Sequence, residues 1–173
     1  MRAAFAFFLL ALSCAALAQP SEREVQAAFL FKFPSFVEWP QEALGAGPIV
    51  IGVAGADDVA AQLQQMAGGR TVQGRPVLVR RVGKGESLAG LHVLFFGRGQ
   101  AARLAELERQ APLQPLLVVC EWEGALQQGA VVNFLRSEGR VRFEVSLEGA
   151  KRRSLRISSR MLAVAQNVRP GKL

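Results

Sequence analysis

The chain has 173 residues, half of them hydrophobic, and a formal charge of +7 at pH 7, which fits about one ordinary domain with a sizeable core. Two cysteines and one histidine exclude a disulfide framework and a local metal cluster. The charge is uneven: residues 136–173 carry ten Lys or Arg against three Glu, whereas residues 1–135 carry eleven of each sign.

The first segment reads as an export signal. Arg2 gives a positive start, Phe5 to Leu12 is an apolar stretch too short to span a bilayer, and Ala16-Leu17-Ala18 is a small-residue cleavage site. The expected division is a signal peptide over 1–18 and one domain over 19–173, located in the periplasm. A second reading places acylation at Cys14, because Leu12-Ser13-Cys14-Ala15 is similar to a lipoprotein cleavage site. Cleavage after Ala18 leaves Cys120 as the only cysteine, inside the apolar run LLVVC, where it reads as a buried small hydrophobe.

Ser21-Glu22-Arg23-Glu24 is a capping box and starts a helix. Val25, Ala28, Phe29 and Phe33 recur at helical spacing, with Leu30 and Phe31 making the surface apolar nearly all round. Pro34 ends or kinks that helix. A strand is predicted over Pro48–Ala54, then a helix carrying Val59, Leu63 and Met66 and stopped at Gly68-Gly69. Further strands are predicted over Arg75–Val82, Leu91–Phe96 and Leu116–Cys120, with a helix over about Gln100–Gln110 before the last. Alternation of this kind predicts a parallel sheet covered on both faces by helices. Val131–Leu135 and Arg140–Ser146 then read as an antiparallel hairpin. From Leu147 to Val168, Ile157, Met161, Ala165 and Val168 line a helical stripe, divided into two helices near Gly149 and Ser154. The expected fold is a single α/β domain with about six strands in a mixed sheet, parallel first and antiparallel at its end.

Chemistry is sparse. Gly97-Arg98-Gly99-Gln100-Ala101-Ala102 fits G-x-G-x-x-A after a strand, with Glu121 at the end of the next strand where a ribose ligand belongs. Its place on the third strand of an exported domain favours a tight structural turn. His92 begins one strand and Cys120 ends the next, roughly 13–17 Å apart at about 3.3 Å per residue, too far to share a proton. Asp57-Asp58 sits at a helix start, where capping and the helix dipole account for both. No nucleophile, general base or cofactor site assembles, so the chain reads as a binder and not an enzyme. Lys151-Arg152-Arg153 and its basic neighbours suit an anionic lipid or acidic protein face, and the absence of interleaved aromatics argues against nucleic acid. Phe36, Trp39 and Pro40 sit between a buried helix and the first strand, as core lid or partner anchor. Arg153, Arg156 and Arg160 fall opposite the apolar stripe and are expected on an exposed face.

In order along the chain, AAFLFKF (27–33), FVEWP (36–40), IVIGV (49–53), GRPV (74–77), HVLF (92–95), VNF (132–134), VRFEV (141–145) and LRISSRML (155–162) resemble the YfiR family. The resemblance implies a periplasmic regulator without catalytic activity. It would bind and repress the periplasmic sensor domain of an inner-membrane diguanylate cyclase, affecting cyclic di-GMP signalling and biofilm formation. It also implies a homodimer and a second partner, an outer-membrane lipoprotein with a peptidoglycan-binding domain. Two departures stand out. Cys120 alone cannot form the intramolecular disulfide of the best-known members, and Pro34 interrupts a helix the family usually runs unbroken. Beside the repressor stand two other readings, a periplasmic small-ligand-binding module and a nucleotide-binding enzyme using the Gly97 turn.

Overall fold

Ser21 starts the first helix as its sequence demands. Its hydroxyl accepts from the Glu24 amide at 3.2 Å while the Glu24 carboxylate accepts from the Ser21 amide at 2.6 Å, opening α1 (Glu22–Lys32). In the computed structural model, which describes residues 19–111 and 113–171, Pro34 converts the helix end into a 3-10 turn over Phe33–Phe36. The expected signal peptide and Cys14 lie outside the described residues. A short β1 (Val37–Glu38) and α2 (Gln41–Leu44) follow.

The central βα pattern appears as expected. β2 (Ile49–Ala54), α3 (Asp57–Ala67), β4 (Arg75–Arg81), β5 (Val93–Phe96), α4 (Ala101–Gln110), β6 (Leu117–Cys120), β7 (Val132–Ser137) and β8 (Arg140–Ser146) fall on the segments read from periodicity. An unexpected β3 (Thr71–Val72) folds back antiparallel on β4. Its turn residues Gln73 and Gly74 both hold positive φ, the backbone of a tight two-residue hairpin. The main sheet has eight strands in the order β10-β8-β7-β6-β5-β2-β4-β3, where β10 is Asn167–Arg169. Strands β4, β2, β5, β6 and β7 run parallel, and β8 turns back antiparallel.

Side chains alternate across this sheet. Ile51, Val53, Val93, Phe95, Leu117 and Val119 face the first core, beneath α1 and α3. Leu94, Phe96, Val118 and Cys120 face the second, beneath α4 and the segment holding Ala125, Leu126 and Ala130. Burial on both faces explains why the strands read as continuous apolar runs. The first core ends in an aromatic cluster, where Phe33 stacks on Phe134 at 5.8 Å and meets Phe143 edge-on at 5.2 Å.

The C-terminal segment corrects the expectation of two helices sharing one stripe. It forms α5 (Leu147–Arg152), β9 (Arg156–Ile157), α6 (Ser159–Val164) and β10 (Asn167–Arg169). Met161 is buried in the first core, but Val168 stands exposed on the edge strand β10. Ser154 takes a φ of 56° and breaks the helix there. The 4-4-3 spacing of Ile157, Met161, Ala165 and Val168 was a coincidence of two strands and a short helix; strand partners elsewhere in the chain captured both ends. β10 lies parallel to β8, and β9 pairs antiparallel with β1. β10 together with β3 raises the expected six strands of the main sheet to eight, and β1 with β9 adds a separate two-stranded ribbon.

Candidate partner-binding surface

The ribbon unites two regions that lie far apart in sequence. Val37 pairs with Ile157 and Glu38 with Arg156, and the Ser158 amide donates to the Phe36 carbonyl at 2.9 Å. The ribbon therefore sets the segment carrying Phe36 against the strand carrying Arg156, while Pro40 follows β1 and Arg160 follows β9 at opposite ends of it; Phe36 and Pro40 are half-buried and both arginines exposed. Arg156 reaches Glu38 at 3.5 Å across the ribbon, and its side chain keeps 84% of its surface. A pair so exposed contributes at most about 1 kcal/mol, which leaves the guanidinium available to a second carboxylate. Lys151 and Arg152 add two more exposed cations.

Trp39 belongs to the interior. Only 8% of it is exposed, its ring meets the His92 ring edge-on at 6.2 Å, and its buried indole Nε1 finds no acceptor among the described residues. It is the lid of the first core; around it Glu38 is exposed, Pro40 is half-buried, and the half-buried Phe36 packs against the same core. His92 is held neutral. Its Nδ1 accepts from the Val50 amide at 3.1 Å, and burial, reinforced by Arg75, lowers its pKa below 6.5 against the pull of the Leu44 and Ala43 carbonyls.

Arg153 does not lie on the expected exposed face. The residue is 1% exposed, donating to the Gln114 carbonyl at 3.1 Å and to the Glu108 carboxylate. Glu108 also receives Arg152 at 3.6 Å. Burial lowers the Arg153 pKa, opposed by Glu108. Arg153 caps α5, its amide bonded back to the Gly149 and Ala150 carbonyls before the chain breaks at Ser154, and its side chain ties α5 to Glu108 of α4.

The remaining motifs resolve into packing. The crevice between the carboxyl ends of β2 and β5, where strand order reverses, is the place a doubly wound sheet offers a ligand. Here it is filled: a Cβ on Gly97 would press into the Gly55 carbonyl, and the Gln100 side chain lies over Gly55. Gly97 donates its amide to Ala54 at 2.8 Å. Glu121, placed by sequence at a ribose, instead accepts from Arg23 at 2.7 Å, Gln26 at 2.8 Å and the Arg98 amide at 3.1 Å. This buried knot, joining α1 to the ends of β5 and β6, went unread; its only signals were Arg23 in the first turn of an apolar helix and Glu121 directly after an apolar strand. Pairing of Val93 with Leu117 and Phe96 with Cys120 puts His92 and Cys120 at opposite ends of their strands. The Cys120 thiol is fully buried, which pushes its pKa well up. Asp58 pairs with Arg23 at 3.0 Å and Asp57 with Arg81 at 3.6 Å.

Against this geometry, the YfiR/HmsC-like family profile matches residues 23–166, from α1 to the residue before β10. The chain belongs to the YfiR/HmsC-like family. No curated protein matches it. Membership supports a regulatory role in diguanylate cyclase signalling. The matched span of this YfiR-like chain includes both strands of the β1/β9 ribbon and both cores. No helix among the described residues is long and apolar enough to cross a membrane.

Proposed function

We propose that the chain is exported, trimmed after Ala18, and acts in the periplasm as a non-catalytic homodimeric repressor. It binds the periplasmic sensor domain of an inner-membrane diguanylate cyclase and lowers cyclic di-GMP output and biofilm formation. An outer-membrane peptidoglycan-binding lipoprotein is its second partner. The supporting observation is the ribbon, which joins the Phe36–Pro40 segment to the strand that carries the exposed Arg156. An apolar contact rimmed by cations suits an acidic partner face, with charge governing association rate and partner choice more than affinity.

The test measures binding of the purified mature protein to the cyclase sensor domain at about 50 mM and about 300 mM salt, with cyclase activity followed in parallel. Arg156→Glu and Arg160→Glu should each slow association several-fold and release the cyclase. Affinity indifferent to salt and to both reversals would remove the basic surface from the interface. Absence of binding to any inner-membrane cyclase of the same cell would overturn the repressor reading. Intact mass of the periplasmic protein checks the start at Gln19.

A further inference from the structure

Strand β4 is covered along one side and only half covered along the other. It pairs with β2 from Val77 to Arg81, whereas β3 reaches no further than Arg75 and Pro76. The Val82 amide donates to the Val53 carbonyl at 2.8 Å. Main-chain groups alternate in direction along a strand, so Leu78 and Arg80 also turn theirs towards β2 while Val79 and Arg81 turn theirs outwards. Among the described residues no hydrogen bond reaches those outward amides and carbonyls. The edge stands in solvent: Leu78 keeps 53% of its surface exposed, Arg81 is exposed, and Val79 lies half-buried against the first core.

The same edge is cationic on both faces. Arg80 shares a face with Leu78; its Nη2 donates to the Ser87 carbonyl at 2.5 Å and its buried Nε has no acceptor among the described residues. No carboxylate among the described residues pairs with it. Arg81, on the other face, meets Asp57 at 3.6 Å with both side chains more than half exposed, a contact too wet to hold the guanidinium against a competing carboxylate. Like charge turns the edge away from a second copy. Self-pairing about a two-fold axis centred on Arg80 or Arg81 sets that arginine directly against its own image, which is destabilising. Centred on Val79, it carries Arg81 opposite Val77, into the lane by which Arg70 enters β3.

We propose that the Leu78–Arg81 edge receives an extended acidic segment of a partner protein by strand addition. The segment runs antiparallel to β4, as β3 does, in the lane that β3 leaves empty. Its residues opposite Val79 and Arg81 exchange main-chain hydrogen bonds with them. Carboxylates opposite Arg80 and Arg81 meet one cation on each face, and apolar side chains opposite Leu78 and Val79 cover the apolar surface there. Charge on an edge strand guards against promiscuous pairing, and here it admits only a strand of opposite sign. The site uses no residue of the β1/β9 ribbon and stands whether or not the repressor reading holds.

Titration calorimetry on the purified protein tests this with the capped peptide Thr-Glu-Glu-Val-Val-Thr, whose inner residues fall opposite Arg81, Arg80, Val79 and Leu78 in turn. It should bind with a dissociation constant below about 1 mM, and the peptide with both Glu replaced by Lys at least about tenfold more weakly. N-methylation of the first Glu and first Val removes the amides aimed at β4 and should weaken binding at least about tenfold. N-methylation of the second Glu and second Val, whose amides face away, should change it by less than about twofold. Val79→Pro, compatible with an edge position whose N–H faces outwards, should weaken binding of the unmodified peptide. No binding at about 10 mM, equal binding of the lysine peptide, or equal loss from the two methylation patterns overturns the proposal. A dimer in sedimentation that Val79→Pro dissolves would give the edge to a second copy and overturn it too. The peptides on the unaltered protein decide the matter even if the variant fails to fold.

Discussion

Trp39 gives the sharpest test of how the loop at the ribbon is held. Replacement by alanine empties a site within the first core, where the side chain is 8% exposed and abuts His92; the loss should be about 3–5 kcal/mol. Phenylalanine should behave differently. It refills most of the volume and removes the indole N–H, which is buried without an acceptor among the described residues. An unpaired buried donor costs about 1–3 kcal/mol, and the ring atoms given up are worth about 1–2 kcal/mol of burial. The two nearly cancel, so Trp39→Phe should lie within about 1 kcal/mol of the natural protein. For a domain of this size about 1 kcal/mol moves Tm by roughly 2–4 °C. Calorimetric melting should therefore show Trp39→Ala lower by roughly 6–20 °C and Trp39→Phe by no more than about 4 °C. Equal losses in the two variants would show that the indole N–H is satisfied and that the polar reasoning is wrong. An unchanged melt in Trp39→Ala would show that the side chain is no part of the core.

Three further outcomes follow from the same geometry. His92 has a folded pKa lowered below 6.5, so the unfolded chain takes up its proton first; its contribution is full above about pH 6.5 and declines as pH falls through that value towards the folded pKa. Urea unfolding at about pH 7.5 and about pH 5.5 should show that decline, and His92→Gln should flatten it. Gly97→Ala drives a methyl group into the Gly55 carbonyl and should destabilise by about 1–3 kcal/mol, read by thermal melting; binding of NAD in calorimetry would contradict the filled crevice. Arg153→Ala removes the buried partner of Glu108 and leaves it only the more exposed Arg152 at 3.6 Å, so it should cost up to about 3 kcal/mol, whereas joining Arg153→Met with Glu108→Gln should recover most of it in denaturant titration.

The parts of the fold that local chemistry decides were legible. The capping box at Ser21, the apolar runs of β2, β5 and β6, and the hairpin turn at Glu138-Gly139 each contain their own cause within a few residues. Long-range contacts were not. β9 and β10 are strands because β1 and β8 present edges to them, and nothing in residues 156–157 or 167–169 announces that. Arg153 failed for a related reason: a charge run reads as solvated surface, and its partner Glu108 comes from another helix. Of the candidate surface, Phe36, Pro40, Arg156 and Arg160 were named from sequence, but the ribbon that joins their two segments was invisible. Glu121 was noticed for its position after a strand and given the wrong companion, since Arg23 and Gln26 lie almost a hundred residues away in the chain.

The ribbon also makes the surface a witness to the completeness of the chain. Its two strands, 37–38 and 156–157, enclose nearly all of the domain between them, and a loop of that length closes late because its entropy must be met before the contact rewards it. A chain that stops before Ile157 lacks one strand outright, and a chain whose sheet has failed to assemble cannot bring the two together. Whatever docks on Phe36 and Arg156 therefore meets only molecules that have been synthesised past Ile157 and have folded across the span between the two strands.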